Sequence, residues 1–164
     1  MAGLRTNLDK AVEKFAIKTL VALDTTVQGA MAEMGFAAQA LSPFYTGKFR
    51  ASWRIAQNRT DTTTSAGARS KREASKLLRA SKGMVDSGYR DVPVSSKEFS
   101  DLQDQANSQL AGNFHILSNS VEYADKVNSG DPETGRAPKL IVEQIRLLFP
   151  GFVAAAAQRA RSKR

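Results

Sequence analysis

The stretch Pro43-Phe44-Tyr45-Thr46-Gly47-Lys48-Phe49-Arg50-Ala51-Ser52-Trp53 carries the first reading of the fold. A proline and a Thr-Gly turn lead into residues that alternate. Phe49, Ala51, Trp53 and Ile55 fall on one side; Arg50, Ser52 and Arg54 fall on the other. Period-2 alternation predicts a half-buried strand from Phe49 to about Gln57. Gly47 supplies the permissive backbone that a tight entry needs. No catalytic group stands in this stretch, which reads as a structural joint.

Upstream, apolar residues recur at helical spacing from Leu8 through Val12, Phe15, Leu23, Val27, Ala30, Met34 and Ala37 to Leu41. That spacing predicts a helix over 7–41, opened by a capping-box-like Thr6 and Asp9 and stopped by Pro43. Lys10, Glu13, Lys14 and Lys18 take its other face early on. After Val27 it turns Ala- and Met-rich on more sides, so its second half is expected to be the more buried. Gly29 and Gly35 weaken it locally and permit close packing.

Downstream, 58–68 lacks periodicity and reads as a loop. Residues 69–81 could form a short helix with a thin apolar face of Ala74, Leu77 and Leu78. A helix is expected over 96–110, with Phe99, Leu102, Ala106 and Leu110 on one side and Gly112 ending it. Asn113 to Asn119 alternates as a second strand, and 121–127 reads as a turn or short helical piece. The run Ser129 to Gly135 is a loop by composition. Pro138 suits the first turn of a closing helix bearing Leu140, Ile141, Ile145 and Leu148, with Pro150-Gly151 expected to break or kink it. The expected fold class is α+β: a small, mainly antiparallel sheet packed against a long N-terminal and a C-terminal helix, with a basic insert.

The 164 residues suit one domain spanning 1–164, with 58–108 as a variable segment. With no cysteine there is no disulfide framework, thiolate metal site or cysteine nucleophile. No apolar run approaches the roughly 20 residues that span a bilayer, and Met1 to Leu8 lacks the apolar core of a signal peptide. The expectation is a soluble protein without a membrane partner. The single histidine, His115, has no carboxylate at ligand spacing and reads as structural. No nucleophile elbow or phosphate-binding glycine loop is present. Glu122 with Asp125, and Asp131 with Glu133, are ordinary solvated pairs. The expectation is a protein without enzymatic activity, metal or cofactor.

The net charge of +8 is concentrated: from Lys48 to Arg90 eleven Lys/Arg stand against three acids, and the rest of the chain sums to neutral. Arg69, Lys71, Arg72, Lys76, Arg79 and Lys82 form its densest part. Such a cluster fits either an exposed loop or a contact with phosphates or an acidic protein surface. It has too little apolar side chain to offset ordering costs of roughly 1–2 kcal/mol per residue. Order is therefore expected only against a partner. Without interleaved aromatics, any nucleic-acid contact would be sequence-blind and salt-sensitive. A nonspecific, basic DNA-binding protein is the alternative that charge alone suggests.

Two motifs about sixty residues apart carry a resemblance. Pro43 to Trp53 resembles the Pro-x-x-Thr-Gly-x-hydrophobic-Arg-x-Ser pattern of tailed-bacteriophage head–tail joining proteins, the neck, tail-completion or minor tail components. Ile116-Leu117-Ser118-Asn119-Ser120-Val121-Glu122-Tyr123-Ala124-Asp125-Lys126-Val127-Asn128-Ser129-Gly130 is similar to that family's Asn-x-hydrophobic-x-Tyr-Ala-x-x-hydrophobic-Glu-x-Gly signature. Ala137-Pro138 matches its Ala-Pro before the last helix. Tyr45 replaces the usual Asp, Asn128 the usual Glu, and 58–108 has no counterpart. The resemblance implies a structural virion protein of the neck, made in the bacterial cytoplasm. It would form a ring, six-fold in the family, between head-completion or adaptor proteins and tail-terminator or tail proteins, around the DNA passage. Its motif residues here are Thr46, Gly47, Arg50, Ser52, Trp53, Asn119, Tyr123, Ala124, Gly130 and Pro138. The basic six would face an acidic neighbouring ring or the packaged duplex DNA.

Overall fold

The computed structural model describes residues 2–43, 47–65 and 96–162. Thr46, the six basic residues of 69–82 and the short helix expected there lie outside the described residues. Within them the order is α1 (Ala2–Leu41), α2 (Lys48–Ala51), β1 (Trp53–Gln57), α3 (Ser96–Asn107), β2 (His115–Asn119), α4 (Ala124–Ser129) and α5 (Ile141–Ser162). The α+β class holds: two antiparallel strands pack against a long N-terminal and a C-terminal helix.

Helix α1 has 40 residues, about 60 Å at 1.5 Å each. It opens before the expected Thr6 and closes, as expected, ahead of Pro43. Only its second half is covered. Ala30, Met31 and Ala38 are buried, whereas Leu8, Val12, Phe15, Ile17, Leu20 and Val21 are exposed. The reason is the length of α5. Gly29 faces Ala156, while Ala38 shares the core with Ile141 and Ile145, so the two helices run in opposite senses. From Ala156 to the end of α5 is six residues, which brings that end opposite about position 23 of α1. Residues before it project beyond the body of the protein.

The contact between these helices is close because its residues are small. A Cβ at Gly29 would lie 3.0 Å from that of Ala156, and Arg159 pairs with Glu33 at 2.9 Å. Gly35 admits the side chains of Ile55 and Leu102 in the same way. The core gathers Met31, Ala38, Phe49, Trp53, Ile55, Leu102, Ala106, Val121, Ile141 and Ile145. Helix α3 is part of it, so the end of the segment set aside as an insert belongs to the fold. Gln28 Nε2 donates to the carbonyls of Asn107 and Gln109, and the Ala111 amide donates to Asp24 Oδ1. These bonds tie the end of α3 to α1.

Strands β1 and β2 pair from Trp53↔Asn119 to Gln57↔His115. The outer edge of β1 is closed by side chains: the Ile55 amide donates to Gln105 Oε1 at 2.8 Å, satisfying a group that would otherwise template further pairing. His115 Nδ1 lies 3.2 Å from Gln109 Oε1, a structural contact.

Four expected boundaries are corrected. The strand does not begin at Phe49: Lys48–Ala51 is a helical turn, closed by the Ala51 amide on the Gly47 carbonyl. The one-turn spacing of Phe49 and Trp53 satisfies a helix as well as an alternation. Helix α3 ends at Asn107, ahead of Gly112. Pro138 precedes α5 by three residues rather than sitting in its first turn. Pro150-Gly151 does not break α5, which is helical from Ile141 to Ser162. Proline removes one intrahelical donor there, but the turn Arg146 to Gly151 is exposed, so water can take up the carbonyl left over.

Candidate functional site

The described residues of the two motifs meet in one joint. Gly47 has φ 81, the left-handed region that favours glycine, and it caps the start of α2. The turn then presents Arg50 inward. Arg50 is 1% exposed, and its Nη2 donates to the Ser42 carbonyl at 3.4 Å, at the end of α1. Ser42 Oγ accepts from Trp53 Nε1 at 2.8 Å and donates to the Ala38 carbonyl. Ser52 is buried, and its Oγ accepts the Ser65 amide at 2.9 Å. Arg54 then holds residues 63–65 along β1 through Thr63 and Ser65. Alternation assigned Arg50 and Ser52 to an outer face. They are internal because the helical turn, not a strand, aims them.

The second motif completes the joint. Asn119 pairs with Trp53 in the sheet, and its Nδ2 donates to the Phe49 carbonyl at 2.8 Å. Its Oδ1 accepts the Val121 amide, which turns the chain out of β2. Tyr123 stacks on Phe49 with ring centroids 6.1 Å apart, and Phe49 meets the edge of Trp53 at 6.0 Å. Burial pushes the Tyr123 hydroxyl above its ordinary value, and the charge of Glu122 adds to this. Ala124, the small neighbour, starts α4 and packs against the core.

Gly130 ends α4 with φ 88 and ψ 168. A Cβ there would lie 3.0 Å from the Arg136 carbonyl oxygen and 3.2 Å from Pro138. The chain closes on itself in a bridge between Asp131 and Arg136. Asn128, the departure from the family pattern, links α4 to α5. Its Oδ1 accepts the Val142 amide at 3.1 Å, and its carbonyl accepts the Leu140 amide. Gly130 and Pro138 are thus the two sides of one tight crossing.

Within that loop the Asp131 carboxylate accepts from Thr134 Oγ1 at 2.9 Å and from the Glu133 amide, with Lys126 at 3.7 Å. The Thr134 hydroxyl is the main reason its carboxyl titrates below the ordinary 3.8. A depressed folded value means the contribution is present above 3.8 and is lost as pH falls through the folded value. Amide protection at Asp131 and Arg136 should therefore hold from neutrality down to about pH 4 and collapse in stronger acid. Hydrogen exchange measured against pH checks this, with Asp131→Asn removing that step.

Among the described residues, no group of three or more His, Asp or Glu could hold a metal ion, and no helix is long and apolar enough to cross a membrane. Of two apolar features, sequence reasoning missed the first and read the second only as a less buried half of α1. The first is a groove of about 540 Å³ between α1, β2 and α5, lined by Val27, Met31, Met34, Leu117, Phe149 and Val153 among others. The second is the bare first half of α1. The helical spacing of Leu8, Val12 and Phe15 was visible, but nothing local says that α5 stops short of them. Comparison with protein-family models, curated proteins and solved structures returned no match.

Proposed function

We propose that this chain is a structural subunit of a tailed-phage neck, assembling in a ring that joins the head to the tail around the DNA passage. The carrying observation is that the two motifs of the resemblance, far apart in the chain, make a single joint. Trp53 pairs with Asn119, Asn119 holds the Phe49 carbonyl, and Tyr123 stacks on Phe49. A chance likeness of two short segments gives no reason for them to interlock.

In this role Arg50, Ser52, Trp53 and Asn119 set the shape of the subunit from inside. Contacts with neighbours are left to exposed apolar residues, among them the first half of α1 and Phe114 at 82% exposure. Apolar surface on that scale marks interaction sites. A ring follows when one surface of a subunit fits a different surface of the next and the rotation closes. The neighbours above and below would be head-completion or adaptor proteins and tail proteins. The basic residues 69–82 supply charge for an acidic neighbour or for duplex DNA.

The experiment is genetic. A phage whose copy of this gene carries an early stop should accumulate filled heads and separate tails, countable by electron microscopy, and complementation should restore joined particles. Normal joining without the protein would reject the role.

A further inference from the structure

The first half of α1 and the groove beside its second half are opposite in shape and alike in chemistry. The row Leu8, Val12, Phe15, Thr19 and Leu23 continues as Thr26, Ala30 and Glu33, the row on which α5 packs. Past the end of α5 that row is bare, with Phe15 at 72% exposure. Leu8, Val12, Phe15, Ile17, Leu20, Val21 and Leu23 are all exposed. The row itself, Leu8, Val12, Phe15 and Leu23, presents roughly a few hundred Å² of apolar surface, the scale of patches that mark interaction sites, while Ile17 and Val21 lie on the other side of the helix. Lys10 and Lys14 lie on the opposite side of the helix and Lys18 at the flank of the row, so covering the row leaves the charges of Lys10 and Lys14 in water.

We infer that the occupant of this row is a second copy of the chain: the row of one copy seats in the groove of the next. The groove runs along α1 at Val27, Met31 and Met34, with Leu117 of β2 on one side and Phe149 and Val153 of α5 on the other. Its volume of about 540 Å³ is more than three times the roughly 150 Å³ that holds one benzene ring. It can therefore take Phe15 with its apolar neighbours. The methionines let its walls adapt to the incoming side chains. Being one continuous helix, α1 cannot fold its own first half back into this groove. The donor must come from another molecule. A row that gives and a groove that receives are different surfaces, so the contact can propagate from copy to copy.

This contact adds to the proposed role the surfaces through which copies would meet, and it is tested on the isolated protein. The chain has no cysteine, which permits a directed cross-link. Copies carrying only Phe15→Cys, mixed with copies carrying only Phe149→Cys, should form the mixed disulfide under mild oxidation. Leu147→Cys, exposed but outside the groove lining, should not match it. The double variant Val12→Glu, Phe15→Glu should keep the circular dichroism of the parent and weaken self-association about tenfold or more by sedimentation.

A parent that stays monomeric at all concentrations overturns the inference. So does a Phe149 cross-link no more frequent than the Leu147 control, or a row that binds only anionic vesicles or another protein. The two proposals fail separately. Self-association through this row in a protein absent from virions would reject the neck role alone. A virion component without the cross-link would reject the interface alone.

Discussion

Trp53→Ala is expected to destabilise the protein by about 3–5 kcal/mol and to lower its melting temperature by about 10 °C. Trp53 is 5% exposed and sits among Phe49, Ile55, Ile141 and Ile145. Removing the indole leaves a cavity that the surrounding helices cannot fill. It also leaves Ser42 Oγ without the Nε1 donor 2.8 Å away, and an unmet buried polar group adds its own penalty. Trp53→Phe keeps most of the volume and loses only that bond, so it should cost about 1–2 kcal/mol. Urea titration followed by circular dichroism checks both, because the fluorescence of the only tryptophan is removed. A loss below about 1 kcal/mol for the alanine would mean that Trp53 is not a centre of the core.

Gly130→Ala is expected to have the second largest effect. The backbone there, φ 88 and ψ 168, lies in a region essentially reserved for glycine, where another residue costs about 1–3 kcal/mol. The added Cβ would also lie 3.0 Å from the Arg136 carbonyl oxygen and 3.2 Å from the Pro138 nitrogen. These are backbone atoms, so no side chain can swing aside. The bridge between Asp131 and Arg136 should open and the start of α5 should lose its Asn128 tether. Hydrogen exchange across 127–143 and the melting temperature report the two effects. Gly135→Ala is the control, since φ 67 there carries some strain but nothing lies within 4 Å. Its cost should stay near 1 kcal/mol. Equal losses for the two variants would show that the Gly130 crossing is not as tight as described.

Much of this architecture is legible in the sequence where one element carries its own pattern. The long rows of α1, the Leu102 and Ala106 face of α3, the alternation of β2 and the end of α1 before Pro43 all follow from spacing. The joint was legible only in part. Trp53 as a core residue could be read from its neighbours, but Arg50 could not. Its burial depends on the Ser42 carbonyl arriving from the end of α1, and a charged residue in an alternating run is assigned outward by default. The start of β1 was misread because Phe49 and Trp53 fit one helical turn as well as a pleat. Pro150 misled for the opposite reason: its local effect is real, but it falls on an exposed turn where water can satisfy the backbone. The apolar groove has no local signature at all, being shared by three elements far apart in the chain.

The proposed neck role is tested most directly by imaging the head–tail junction of a tailed phage that carries this gene, with purified virions analysed by mass spectrometry. Peptides of this chain are expected in joined particles, with a closed ring of its α1–α5 helix pairs at the junction, encircling the DNA passage. Joined, infectious virions that contain no copy of the protein would contradict that role.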